Sequence, residues 1–381
     1  MNLCKQFLSS ELIHRGIVIL SFFILFACAA ERPVLEPATE YIPPDENKYI
    51  DNLIMLLKDK MTKDYQSGKT LRGAHPKHHG CVKARFIVSP DLPESLRIGI
   101  FEKPRTYPAF VRFSNGSSSV QPDWVKDARG MAIKIMDVGG KKILEDETYA
   151  MTQDFLLISH PVLPAGDVKG FFTLADAATN GSLFWFFFNP FSSHFKELSI
   201  AIKMLDRHSS PLKIKYWSTT PYLFGPGRAV KYAVFPSNGV SSNVPENPSE
   251  DYLREVMQEN LRQEDVSFEF MLQFQTDPEK MPVEDARIEW NESLSPFIKV
   301  ATLKIDAQIF DTHQQMDCCE NLSFTPWHSL AEHRPLGGIN RARKEIYREL
   351  SIFRHERNGI KRREPNKNFD SIRKYDEKSN H

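Results

Sequence analysis

The segment Ser267–Phe274 carries the clearest structural pattern in the chain. Phe268, Phe270, Leu272 and Phe274 occupy every second position, so in a β-strand they share one apolar face. Six further strand-like segments occur at residues 82–88, 109–113, 131–136, 155–158, 229–235 and 298–305. They do not alternate regularly with helices, as the strands of a parallel sheet do. The sequence therefore predicts an α+β protein built on an antiparallel sheet or barrel.

Helical patterns lie between and after these strands. Residues 193–207 and 249–263 each open on a serine that we expect to cap the helix. A further helix is predicted from Ile339, because good helix formers follow Pro335 and the Gly337-Gly338 pair.

Residues 183–191, Leu-Phe-Trp-Phe-Phe-Phe-Asn-Pro-Phe, are apolar on every face. We expect them to form buried core between helices, since a contiguous block of aromatic residues needs cover. The alternative is an exposed patch that touches lipid or guides an apolar substrate.

Charge and cysteine content limit the class of protein. Lys and Arg together number 49, as do Asp and Glu, so the formal net charge is zero. Because no field of one sign is available, binding to nucleic acid or to an anionic membrane is disfavoured. The five cysteines are an odd number without C-x-x-C spacing, and Cys318 and Cys319 are adjacent, which argues against a disulfide scaffold.

The amino terminus is typical of an exported protein. Residues 16–30 form an apolar run that has the length of a signal-peptide core and is too short to span a bilayer comfortably. Leu25-Phe26-Ala27-Cys28 also resembles the lipobox of bacterial lipoproteins. Lipidation of Cys28, cleavage after Ala30 and an uncleaved anchor remain alternatives, and we expect a periplasmic protein or a membrane-anchored lipoprotein.

We divide the chain into four parts on these grounds. Residues 1–30 are the signal, and residues 31–48 are a proline-rich tether. Residues 49–355 form one folded domain. Residues 356–381 are a charged tail, expected to be disordered because it has almost no apolar periodicity.

Arg343 and Tyr347 lie four residues apart on the last predicted helix and therefore share a face. A guanidinium next to a phenol stabilises the phenolate, and tyrosinate is one of the few side chains that can hold haem iron. Taken alone, this pair is more often a packing tyrosine beside a surface arginine.

Four motifs together resemble those of the catalase family in order and in spacing over residues 68–355. They are Arg72-Gly-Ala-His75-Pro, Val111-Arg112-Phe113-Ser114, Asp127-Ala-Arg129-Gly130-Met131, and Arg343-x-x-x-Tyr347 followed by Arg354. The resemblance implies a catalase-like antiparallel β-barrel with flanking helices in a single domain. It also implies haem b as cofactor and a peroxide as substrate.

The resemblance assigns a role to each matching residue. Tyr347 is expected to be the axial iron ligand, assisted by Arg343. His75 matches the distal histidine, which moves a proton between the two peroxide oxygens, and Ser114 matches the serine that orients its ring. Arg72, Arg112 and Arg354 match arginines that face the haem, chiefly its propionates.

The other basic residues near these motifs have simpler interpretations. His75, His78, His79 and Cys81 together suggest zinc or copper, but their spacing is not that of a structural zinc finger. We expect His78 and His79 to be ordinary side chains, and Arg129 to form structural salt bridges.

The sequence departs from the family at the distal asparagine. Met151 or Thr152 occupies that position, and Gln153 is the nearest amide. Loss of a donor that orients peroxide affects turnover more than haem binding. The substrate is therefore open between hydrogen peroxide and a fatty-acid hydroperoxide of the kind converted by catalase-like allene oxide synthases. A haem-binding lipoprotein without turnover and a haem-free barrel are further alternatives, and the oligomeric state is not predicted.

Overall fold

An eight-stranded antiparallel barrel lies at the centre of the computed structural model, which describes residues 36–237 and 243–366. The strands are β1 (His78–Val88), β2 (Thr106–Asn115), β3 (Arg129–Met136), β4 (Thr152–Ile158), β5 (Tyr216–Trp217), β6 (Tyr222–Leu223), β7 (Ala229–Pro236), β8 (Val266–Phe274) and β9 (Ile298–Ile305). They pair in the order β5-β4-β3-β2-β1-β9-β8-β7, and β5 also pairs with β7, which closes the ring. Strand β6 pairs with β7 outside the ring. The predicted antiparallel barrel is confirmed.

Alternation along the strands decides which side chains fill the barrel. On β8, Phe268, Phe270 and Leu272 are fully buried, as their spacing predicts. The ring of Phe270 lies 5.1 Å from that of Phe86 and 4.8 Å from that of Phe155, both edge-on. Such pairs contribute about 1 kcal/mol each beyond the burial of their area. The alternate residues of β1 to β4, which include Cys81, Arg112, Gly130 and Asp154, are not part of this core and lie on the outer face of the barrel.

The helices surround the barrel. They are α1 (Glu46–Asp64), α2 (Val168–Thr179), α3 (Leu183–Phe188), α4 (Phe195–Met204), α5 (Tyr252–Gln263), α6 (His313–Asn321) and α7 (Gly338–Arg357). Helices α1, α2 and α7 pack on one another through an apolar cluster that includes Leu53, Val168 and Ile346.

The start of α7 is fixed by backbone geometry. Gly337 precedes the helix with φ at 84°, and a Cβ there would lie 2.5 Å from the carbonyl oxygen of Val283. Only glycine fits such a position, and the helix begins one residue before the predicted Ile339.

The predicted serine caps are wrong, because His194 and Asp251 precede α4 and α5 and neither side chain caps its helix.

Contacts of the folded domain extend beyond residues 49–355 in both directions. Glu40 forms ion pairs with Arg334 and Arg341, each at 2.7 Å. At the other end, Glu364 lies 2.6 Å from the buried ammonium of Lys134. The predicted signal at 1–30, Cys28 within it, and the tail beyond residue 366 lie outside the described residues.

A disulfide joins Cys81 on β1 to Cys319 on α6, 238 residues apart in sequence. Neither local cysteine spacing nor the adjacent pair Cys318-Cys319 predicts this bond, because its two cysteines are distant in sequence. The bond attaches α6 to the outer surface of the barrel.

The expectation that residues 183–191 form buried core is wrong. Phe187 is buried, but Phe184 is 65% exposed, Trp185 67% and Phe191 96%. The physical reason is that α3 has only six residues, and a short helix that is apolar all round can bury only the side that meets its neighbours. We call the exposed rings of Phe184, Trp185, Phe188, Phe191 and Phe195 the aromatic patch.

Within the described residues, no helix has both the length and the apolar character needed to cross a membrane.

Candidate active site

His75 lies in the loop that leads into β1 and has a left-handed backbone, with φ at 54°. This conformation costs a non-glycine residue on the order of 1 kcal/mol. Two hydrogen bonds hold it: the His75 N–H donates to the carbonyl of Ser117 at 3.2 Å, and Arg112 Nη2 donates to the His75 carbonyl at 2.8 Å. The backbone that carries the imidazole is therefore fixed from both sides.

The imidazole of His75 lies against the outer face of β2 and β3. Its Nδ1 is 3.1 Å from the Oγ of Ser114, so the structure brings this predicted pair together. Gly130 on β3 lies beneath both side chains. A Cβ at Gly130 would lie 2.6 Å from His75 Nδ1 and 2.7 Å from Ser114 Oγ, so the ring can reach the serine only over a glycine.

His75 is neutral at physiological pH. Burial and, next, the positive charge of Arg112 lower the pKa of His75 to about 4, and Arg343 and Arg72 act in the same direction. All three guanidiniums therefore lie within electrostatic reach of the imidazole. A neutral imidazole can accept a proton at one ring nitrogen and donate one from the other.

The three arginines predicted to face haem propionates lie together around Glu320. Arg72 Nη1 is 2.8 Å from Glu320 Oε1, and Arg354 Nη1 donates to the Glu320 backbone carbonyl at 2.6 Å. Burial, then the charge of Arg72, lowers the pKa of Arg354 to about 9. Burial and the charges of Arg72 and Arg354 hold the pKa of Arg112 well below its usual range.

The cluster therefore has more positive than negative charge. Among the carboxylates that the structure describes, Glu320 acts on both Arg112 and Arg354. Among the described residues, the buried Nε of Arg112 has no hydrogen-bond acceptor. Three guanidiniums with one carboxylate fit a ligand that carries two negative charges, and haem, with its two propionates, is such a ligand.

Arg343 and Tyr347 lie on α7 as predicted, but the guanidinium does not hydrogen-bond the phenol. Arg343 Nη1 donates to Thr220 Oγ1 at 3.0 Å and to Asn340 Oδ1 at 3.2 Å. Tyr347 is half-buried and packs on the cluster shared by α1, α2 and α7. Its hydroxyl forms no hydrogen bond with any other described residue, so no protein group competes for that oxygen.

Arg343 and Tyr347 both act on the pKa of a third residue, Tyr222. Burial raises the pKa of Tyr222 to about 12; Arg343 opposes this shift and Tyr347 adds to it. The side chains of Arg343 and Tyr347 therefore both lie near the buried phenol of Tyr222.

The neighbouring basic residues have structural contacts. Arg129 donates to the side chain of Asn115 and, at 2.9 Å, to the carbonyl of Asp123. His79 is buried with its Nδ1 3.7 Å from an Asp123 carboxylate oxygen. Cys81 is in the disulfide, so it is not available as a thiolate for a metal in the loop that carries His75.

The side chains of Thr152 and Gln153, around the position of the missing asparagine, have partners of their own. Thr152 Oγ1 donates to Glu364 Oε2 at 3.0 Å, and Gln153 Oε1 accepts from the Leu330 N–H at 3.3 Å. Gln153 alternates with the core residues Phe155 and Leu157 and thus belongs to the inner face of β4. Ser114 and His75 lie on the outer face, so these contacts give no support to the hypothesis that Gln153 supplies an amide to the distal side.

Two features of this region were not predicted from the sequence. One is Glu320, which follows Cys319 on a helix and has no local signature. The other is a buried charge network around Lys134, whose Nζ lies 2.9 Å from Asp154 and 2.6 Å from Glu364. A lysine inside the otherwise apolar strand Met131–Met136 was the available signal.

His328 completes this network. It contacts Asp154 at 2.8 Å and Glu147 on its other ring nitrogen. Burial and Lys134 oppose protonation, but the carboxylates of Glu364 and Asp154 raise the pKa of His328 to about 9. Glu147, His328 and Glu364 are close enough to share a metal ion, but the Lys134 ammonium already binds Glu364 and disfavours a second cation.

Two solved structures are similar to this chain over most of its length. A fungal catalase aligns with a TM-score of 0.61 and 17% identity, covering 86% of this chain and 66% of its own. Catalase A from Saccharomyces cerevisiae aligns with the same score and identity, covering 85% of this chain and 68% of its own. No protein-family model and no curated protein matches the sequence. This chain thus spans about two thirds of the length of each catalase, and at this identity the likeness concerns the fold: the chain has a catalase-like fold.

Proposed function

We propose that this protein is a haem-dependent enzyme of the catalase type that consumes peroxide, with haem b as its cofactor. The observation that carries the proposal is the cluster of the buried Arg112 and Arg354 and the half-buried Arg72 around the carboxylate of Glu320. Buried charge of one sign is costly unless a partner neutralises it. A dianionic cofactor would neutralise the excess positive charge of these arginines, and it would lie next to the neutral imidazole of His75.

In this proposal the residues of the chain have separate tasks. Haem would supply an iron centre that reacts with a peroxide. Tyr347 would hold that iron through its phenol oxygen, and the three arginines would hold the propionates. His75 would accept a proton from one peroxide oxygen and return it to the other. Ser114 keeps the imidazole in one orientation by binding Nδ1.

The missing distal asparagine predicts slow dismutation. One hydrogen-bond donor that positions the reactant or stabilises developing charge contributes on the order of 100-fold to a rate. We therefore expect the protein to evolve oxygen from hydrogen peroxide slowly, while it retains haem.

A fatty-acid hydroperoxide is the second candidate substrate, and the aromatic patch favours it. A cleft of about 820 Å³ opens beside the patch and is lined by Trp185, Phe195, Lys169, Lys196 and Asp167, among others. Rings next to cations suit a ligand that has an apolar chain and a carboxylate. Consumption of such a hydroperoxide without release of oxygen would support this substrate.

The test uses the purified full chain and its His75→Ala variant. We expect an absorption spectrum of bound haem in both proteins, and peroxide consumption by the parent alone. Oxygen release separates dismutation from conversion of a lipid hydroperoxide. A coloured parent that consumes neither peroxide would contradict the enzymatic proposal, and a colourless parent supplied with haem would contradict the cofactor.

A further inference from the structure

The aromatic patch is one continuous surface. The ring of Phe184 lies 5.8 Å from that of Trp185 and 5.1 Å from that of Phe188, which in turn lies 5.8 Å from Phe195. Phe191, on the loop between α3 and α4, is almost completely exposed. At about 200 Å² for each aromatic side chain, the exposed apolar area is about 660 Å². The largest apolar patch of a typical monomer is about 300–600 Å² and often has a function.

Exposed lysines lie on the helix that follows the patch. On α4, Lys196 and Lys203 are exposed. The acidic residue of the same helix, Glu197, is buried and bound at 2.5 Å by Arg287. Exposed lysine beside tryptophan and phenylalanine is typical of segments that lie in the interface of a bilayer with anionic lipids. Lysine is depleted at protein–protein interfaces, which makes a second copy of the chain a poorer fit.

The position of the first described residues supports the same partner. The Tyr41 N–H donates to Glu284 at 2.9 Å, and Arg287, three residues later, binds Glu197 on α4. Three residues span at most about 10 Å, so Tyr41 and α4 contact the same short segment, Glu284–Arg287. The apolar run 16–30 ends six residues before Glu36, a distance of at most about 20 Å along the chain.

We propose that the aromatic patch is a membrane-docking surface, whose rings enter the interfacial region of a bilayer that contains anionic lipid. The proposal rests partly on the expectation that the apolar run 16–30 enters or anchors to the same membrane. Patch and run then form two attachments, and two weak attachments together hold a protein at a membrane where one does not. The cleft beside Trp185 would open at the lipid surface, where an apolar hydroperoxide concentrates.

Tryptophan fluorescence of the full chain tests this proposal. The parent and a Trp185→Phe variant are bound to vesicles of phosphatidylcholine and phosphatidylglycerol that carry bromine on their acyl chains. The difference between the two emission spectra isolates Trp185, because the other four tryptophans are common to both proteins. We expect the Trp185 emission to be quenched by the brominated lipid and to shift to shorter wavelength when vesicles are added.

A pair of matched variants tests whether the patch itself inserts. Phe184 and Ile309 are each 65% exposed, but only Phe184 belongs to the patch. Phe184→Ser is expected to reduce quenching of Trp185 by at least about half, since an interfacial aromatic contact is lost, and Ile309→Ser is expected to leave it unchanged.

Three results would overturn the proposal. Trp185 could remain unquenched on vesicle-bound protein, which would mean that the amino-terminal run is the sole attachment. In monomeric protein without vesicles, the Trp185 emission could already lie at short wavelength. Trp185 would then be shielded from water within the chain itself, which would mean that the run 16–30 covers the patch. The protein could form a dimer in solution that Phe184→Ser dissociates. None of these results depends on haem or on peroxide turnover, so the proposed function is tested separately.

Discussion

Gly130 illustrates how one residue without a side chain determines the chemistry of the site. Its Cα lies beneath both His75 and Ser114, and the space a methyl group would take is already filled by their polar atoms. The strand itself tolerates alanine, because Gly130 pairs through its backbone with Ser114 and Ile158.

Gly130→Ala should therefore displace the imidazole without unfolding the barrel. We expect peroxide turnover to fall by on the order of 100-fold, as a displacement of about 1 Å in a catalytic group does, while haem content is kept. Gly139→Ala is the matched control, since a Cβ there meets nothing within 4 Å. Equal turnover in the two variants would show that the His75–Ser114 contact has no catalytic role.

The lowered pKa of His75 predicts how the stability and the turnover of the protein change as the pH falls. Its folded-state pKa of about 4 lies below the value of about 6.5 for an exposed histidine. The unfolded chain therefore binds this proton first as the pH falls, and stability is lost between about 6.5 and 4. Turnover should remain constant from neutral pH to about 5 and decline near 4, where the imidazole loses its capacity as a base.

Melting temperatures measured across this pH range check the assignment. The parent should lose more stability between pH 6.5 and 4 than His75→Gln does, because the variant lacks the titrating group. Identical pH dependence in the two proteins would mean that the imidazole is not held in its neutral form.

At the scale of elements, the disulfide between β1 and α6 keeps Glu320 next to the arginines. Glu320 directly follows Cys319, and α6 carries both. Replacing Cys81 and Cys319 by serine should lower the free energy of unfolding by about 2–5 kcal/mol, as removal of a bond that closes a long loop does. Cys318→Ser, outside the disulfide, should have little effect in the same denaturant titration. A double variant as stable as the parent would contradict a structural role for the bond.

The sequence predicts elements well where a local pattern determines them. Alternation identified β8 and its buried face, and the Pro335 and Gly337-Gly338 signals identified the start of α7. Local patterns could not show that Cys81 pairs with Cys319, or that Glu320 lies among three arginines, because both depend on contacts between distant segments. The exposure of Phe184 and Trp185 was mispredicted because an all-apolar segment does not show how many neighbours will cover it.

For the molecule as a whole, the motifs and the fold lead to the same site by different routes. The motifs suggested which residues should meet, and the barrel places Arg112, Ser114 and Gly130 on its outer face next to His75. Two catalases share this fold over about 85% of the chain at 17% identity. A shared fold at such low sequence identity does not show a shared activity. The cofactor and the chemistry therefore have to be argued from the side chains themselves.

The most direct test is the haem content of Tyr347→Phe protein, measured from the absorption spectrum after expression with haem supplied. Tyr49→Phe is the control, because Tyr49 is a half-buried tyrosine that packs on the same apolar cluster. We predict that the parent and Tyr49→Phe bind haem, and that Tyr347→Phe folds but loses most of it. If Tyr347→Phe binds as much haem as the parent, with an unchanged spectrum, Tyr347 is not the ligand and the proposed site is wrong.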